Sequence, residues 1–205
     1  MPAVKITIPL ITTMLALTAC DRAPAAPSTE ANQSDNAWVR LNLQELTSQQ
    51  QAQREHALTA RNKLASTLKA ELMQAIQGQG PVHAIEVCQS RAPEIAAVVA
   101  ELHNVQIGRD AAKRRNPQNT GPEWASQYRL SKTSTEIACE NADGSIGFAF
   151  PITLENACVM CHGSQEQIPP AVREAIDQRY PEDRATGFAP GDHRGWFWVQ
   201  VPPES

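Results

Sequence analysis

The chain is predicted to fold as α+β, because helical patterns come first and antiparallel strand patterns follow, without the regular alternation of a parallel sheet. Three observations carry this. Leu64, Leu68, Leu72 and Ile76 recur every four residues in a stretch free of Pro and Gly. Thr133 to Cys139 and Ser145 to Pro151 alternate in β fashion on either side of Asn141-Ala142-Asp143-Gly144, and Trp196 and Trp198 share one face of a terminal apolar run.

The elements follow in order. Lys5, the apolar run Ile6 to Leu17 and the sequence Leu17-Thr18-Ala19-Cys20 read as a secretory signal, since the run is shorter than the ~20 residues that cross a bilayer. Small residues before a cysteine resemble the bacterial lipoprotein box, which implies cleavage after residue 19 and a lipid on Cys20. Residues 20–36, with Pro24 and Pro27 and no apolar period, are expected to be a flexible tether. The 16 residues from Asp21 to Asn36 reach roughly 20 to 25 Å. Residues 37–205 then fit one domain. The mature chain holds 17 basic against 22 acidic residues, a net charge of −5 that argues against nucleic acid or anionic lipid as the main partner. The Asp21 that follows Cys20 resembles an inner-membrane retention signal of some bacteria.

Val39 to Gln77 predicts a long amphipathic helix ended by Gly78, Gly80 and Pro81, with a polar N-terminal half around Gln49 to Arg54 that projects beyond the core. Val82 to Leu102 predicts a second helix with Ile85, Cys88, Ala92, Ile95, Val99 and Leu102 on one face, kinked by Pro93. Asn104 to Asp110 reads as a strand, Lys113-Arg114-Arg115 as the start of a polar loop, and Pro122 to Tyr128 as a short helix. After the hairpin come a helix at Pro169 to Arg179, a turn-rich loop at Tyr180 to Gly191 and a strand at Trp196 to Val201.

The hairpin leads into Cys158-Val159-Met160-Cys161-His162. Two thiols at this spacing followed at once by an imidazole form a c-type haem attachment motif: Cys158 and Cys161 take the vinyl groups and His162 is an axial iron ligand. A thiol-disulfide pair leaves the histidine idle, and a zinc site needs a second cysteine pair, whereas Cys88 and Cys139 stand far apart. The basic run Lys113-Arg114-Arg115 is a candidate for neutralising haem propionates.

The candidates for a second axial ligand are Cys88, Met73, His56, His83, His103 and His193. Only Cys88 and Met73 fall on apolar stripes, and a histidine with a methionine is the usual electron-transfer pairing. Cys139 reads as a buried structural thiol, and a Cys88 to Cys139 disulfide is the rival that would remove Cys88 as a ligand.

The pentad after a β hairpin, Ala84-Ile85-Glu86-Val87-Cys88 with Ala92-Pro93-Glu94-Ile95, Arg115-Asn116-Pro117-Gln118-Asn119, and Tyr180-Pro181-Glu182-Asp183 through Gly187-Phe188, Gly191-Asp192 and Arg194-Gly195 together resemble a family. These are the single-haem c-type domains of PAS-like fold, found alone and as extracytoplasmic sensory parts of kinases and chemotaxis-type receptors. The resemblance spans nearly the whole chain after Gly78 and implies a PAS-like antiparallel sheet flanked by helices. It also implies His162 and Cys88 as the two axial ligands of one covalent haem c. Cys139 has no counterpart in the family pattern.

The expected function is that of a lipid-anchored, periplasm-facing redox or diatomic-gas sensor. Its implied partners are the membrane, through Cys20, and a gas or a redox partner protein, with no nucleic acid. The alternatives are a membrane-tethered electron-transfer cytochrome c and a haem-free thiol-disulfide oxidoreductase. No paired carboxylates, nucleophile triad or phosphate loop is present in the sequence, so no enzyme is expected.

Overall fold

The computed structural model describes residues 37–203; the predicted signal segment, Cys20 and the tether lie outside the described residues. The described chain is α+β. Its sheet has five antiparallel strands in the order β1-β3-β4-β5-β2: β1 (Val39–Arg40), β2 (Gln106–Asp110), β3 (Ile137–Glu140), β4 (Ile146–Thr153) and β5 (His193–Val201). Period-two alternation sends Ala138, Phe148, Phe150, Ile107 and Val199 to one face and Ile137, Cys139, Ala149 and Trp196 to the other.

Helices α1 (Ser48–Gln79) and α2 (Pro81–Leu102) cover the first face through Ala57, Ala60, Leu64, Ile95 and Val99. Helix α1 starts nine residues later than the sequence suggests, because Val39 and Arg40 pair with Glu140 and Cys139 as an edge strand. Thr47 then caps the helix, its hydroxyl accepting from Gln50 N–H while the Gln50 side chain accepts from Thr47 N–H. The polar N-terminal half does not project. Gln53 is buried and donates to the Gly144 and Pro202 carbonyls, and Arg54 pairs with Glu136, so this half is bound to the hairpin turn and the end of β5. Gly80, at φ 86°, makes the turn into Pro81, which opens α2. Leu102, predicted on the buried face, is exposed, and α2 continues through Pro93.

The second face is packed by α3 (Glu123–Ser126) and a tryptophan-rich cluster. Trp124 lies over Gly147 and Trp198 over Gly108, so close that an added Cβ would stand 2.5 Å from either ring. Helix α4 (Val159–His162) follows a single 3₁₀ turn, and α5 (Pro170–Arg179) packs with Ile85 of α2 in a third small core. No helix among the described residues is long and apolar enough to cross a membrane.

Candidate cofactor site

The hairpin ends at Thr153, and within ten residues the chain passes from β4 through the 3₁₀ turn into α4. This places the pentad against two adjoining cavities. The first, about 270 Å³, lies between α1, α2 and the sheet, and among its lining residues are Leu72, Met73, Cys88, Ile95 and Cys158. The second, about 180 Å³, is lined by His162 together with Arg114, Arg115 and Arg194. Arg109, Ile152, Thr153, Cys158 and Phe197 border both, so one cleft runs from an apolar end to a basic end.

His162 is held by its Nδ1, 2.7 Å from the Ala185 carbonyl oxygen. A carbonyl only accepts, so Nδ1 carries the proton and Nε2 keeps its lone pair free for a metal. Burial, then the Arg115 and Arg194 guanidiniums, hold the imidazole pKa down to about 3, which keeps the ring neutral. Phe188 meets its edge at 6.5 Å between centroids and is itself flanked by Lys113 and Arg194.

Three cysteines around the imidazole differ in where they lie. Cys158 lines both cavities and Cys88 the apolar one. Cys161 lines neither; it is buried among Ile85, Val172 and Tyr180. Burial pushes its thiol up to about 11; Arg115 opposes this, and charge on Cys88 or Cys158 adds to it, so the three sulfurs lie within electrostatic reach. Burial also raises the Cys88 thiol, opposed by Arg109 and Arg115. All four described cysteines are free thiols. Cys139 lies on the tryptophan face of the sheet, across it from Cys88, and contacts Tyr128 Oη at 3.3 Å.

Of the other ligand candidates, Met73 borders the apolar cavity with Cys88. His56 is exposed and faces His103 at 6.2 Å, and His83 contacts Gln79 and Glu86; these three border neither cavity. His193 packs edge-on against Trp196 on the far face.

The basic end is built differently from the run read in the sequence. Lys113 donates to the Thr186 carbonyl and borders neither cavity, whereas Arg114 donates through Nε to Asp110 and still lines the basic cavity, with a buried Nη2 that has no partner among the described residues. Arg115 faces the cleft with a buried Nε that has no partner among the described residues. It is joined by Arg109 and Arg194, which sequence reasoning missed. Burial lowers both, Arg194 to about 10 with Arg115 and Arg109 adding to the effect. Arg109 was legible in one respect: it stands two residues after Ile107 on a strand, which puts both on the helix-covered face.

The model of one protein family, described as Tll0287-like, matches residues 40–202 of this chain. The chain belongs to the Tll0287-like family. The crystal structure of the cyanobacterial haem protein Tll0287 matches with a TM-score of 0.56 at 23% identity, covering 75% of this chain and 97% of that one. At that identity the likeness shows the fold alone; the family rests on the match over residues 40–202, and the two together are consistent with the single-haem PAS-like family read from the sequence. No curated protein matches.

The residues of this Tll0287-like domain fit a haem. The cleft offers an apolar end for a porphyrin face, the Arg114 Nη2 and Arg115 Nε without partners among the described residues at the other end for carboxylates, a neutral imidazole with Nε2 free, and the Cys88 and Cys158 thiols on its walls.

Proposed function

We propose that this protein is a c-type monohaem sensor, held by Cys158 and Cys161 and ligated by His162 and Cys88, that responds to redox state or to a diatomic gas. The observation that carries the reading is that Cys88 of α2 and the pentad residues Cys158 and His162 border one cleft. When bound, haem supplies one-electron chemistry and, with a ligand position open, affinity for small gases.

The chain's own residues supply the rest. Ala185 fixes the imidazole tautomer, and Arg109, Arg115 and Arg194 line the end of the cleft that would receive the haem carboxylates. Cys88 is carried by α2, which packs on α1, β2 and α5, so holding or releasing this side chain bears on three contacts at once. Export and attachment to the periplasmic face of a membrane through Cys20 fit the same reading, because covalent haem is attached outside the cytoplasm.

A second reading, electron transfer by a membrane-tethered cytochrome, is favoured by one observation: Met73 borders the same cavity as Cys88. The test is the mass and spectrum of the matured full-length protein. One covalent haem per chain with a Soret band, and a ferrous spectrum changed by carbon monoxide, are expected. A colourless protein of unmodified polypeptide mass, apart from lipid, overturns the haem reading, and an unchanged ferrous spectrum under carbon monoxide moves the choice to electron transfer.

A further inference from the structure

Two loops, one carrying Ala185 and the other Arg115, converge on the backbone around His162. From the loop after α5, Asp183 Oδ1 accepts from Ala185 N–H at 2.8 Å, and the Ala185 carbonyl in turn lies 2.7 Å from His162 Nδ1. The same loop donates Phe188 N–H to the His162 carbonyl at 3.0 Å and Gly187 N–H to the Gly163 carbonyl at 2.7 Å. From the loop after β2, Arg115 Nη2 donates to the Cys161 carbonyl at 2.5 Å and stands 3.2 Å from Asp183 Oδ2. The Arg115 and Asp183 side chains are 10% and 7% exposed. Removing both charges from water is costly, and a buried pair of this kind is weak evidence for stability alone.

We propose that the Arg115–Asp183 ion pair positions the His162 imidazole and balances the charge beside it, and thereby sets the reduction potential of the site. This rests on the haem reading. Asp183 spans the device: one carboxylate oxygen orders the Ala185 turn that holds the imidazole, and the other neutralises the guanidinium that grips the pentad backbone. With Asp183→Asn, the Arg115 charge is left uncompensated beside the cleft and favours the reduced state, so the potential rises. With Arg115→Gln, the Asp183 charge loses its ion-pair partner and is offset only by the more distant Arg194, which favours the oxidised state, so the potential falls. A purely structural clamp moves both variants the same way, since each loosens the same contact.

The experiment is a spectroelectrochemical titration of full-length, haem-loaded wild type, Asp183→Asn, Arg115→Gln and the double variant. The expected result is opposite shifts for the single variants, each about tenfold or more in the oxidised-to-reduced ratio at fixed potential, or about 59 mV, with the double variant between them. Shifts of the same sign, or none, overturn the proposal. If the neutral variants do not accumulate, the charge-conserving Asp183→Glu and Arg115→Lys decide it: potentials near wild type support charge balance, and a displaced potential in either overturns it. Wild type without a Soret band overturns the haem reading itself, a result distinct from haem-loaded variants with unmoved potentials.

Discussion

Cys88 on α2 and Cys158 just before α4 border one cavity, although one belongs to the helical layer and the other to the turn that leaves the sheet. A haem attached through Cys158 and ligated by Cys88 would therefore join two layers of the fold. Cys88→Ala is expected to retain covalent haem while shifting the low-spin ferric bands, because a thiolate is replaced by water or by Met73. Optical and electron paramagnetic resonance spectra of the ferric protein check this, with Met73→Leu as the companion. Ferric spectra of Cys88→Ala that overlay wild type, with Met73→Leu altered instead, would reassign the ligand.

Gly147 carries Trp124 flat over its backbone, and a Cβ there would stand 2.5 Å from the indole. Neither the ring nor strand β4 can withdraw, since Trp124 and the neighbouring Phe148 are buried on opposite faces of the sheet. Gly147→Ala is expected to destabilise the domain by about 1–3 kcal/mol, the usual range for overpacking. Urea denaturation with an unchanged m-value measures it. A loss below the error of the fit would show that the tryptophan moves freely.

The helical stripes, the hairpin and the pentad were legible because each is local: its period or spacing is complete within a short run of sequence. What the sequence did not show depends on partners far along the chain. Residues 39–40 read as helix because they continue a run without Pro or Gly, and only Glu140 and Cys139 make them a strand. Lys113-Arg114-Arg115 stood out as a cluster, yet Thr186 engages Lys113 outside the cleft, while Arg109 and Arg194 join Arg114 and Arg115 there from separate strands. Of the site, the pentad and Cys88 were visible, but the holding of His162 by Ala185 was not, since a backbone carbonyl leaves no mark on residue type.

Gln53 is the sharpest case of a polar residue read as surface. Its side-chain amide donates to the Gly144 carbonyl at 3.2 Å and the Pro202 carbonyl at 3.2 Å, tying α1 to both the hairpin turn and the C-terminal end of β5. Gln53→Leu keeps the volume but strands two acceptors, and is expected to cost about 1–3 kcal/mol. Amide exchange at the hairpin turn should quicken along with the loss of global stability. Wild-type stability and exchange in the variant would mean water satisfies both carbonyls.

The two tyrosines provide a pH test, which at Tyr128, on the face of the sheet away from the cleft, does not depend on a cofactor. Burial, then the hydrogen bond to Cys139 and the charge that Cys139 would carry, push Tyr128 up to about 12; burial first, then Cys88, raises Tyr180. An unfolded tyrosine ionises near pH ~10. Above that pH the unfolded chain gives up phenolic protons that the folded chain keeps, so the tyrosine contribution to stability is complete below about pH 10 and is lost as pH rises through 10 toward 12. Tyrosinate absorbance in the native protein should stay flat through pH ~10, where the denatured chain titrates. Tyr128→Phe should remove the native transition near pH 12 and flatten the alkaline loss of stability. A native protein whose two phenols ionise with the denatured ones would show that Tyr128 is not shielded by the tryptophan face of the sheet.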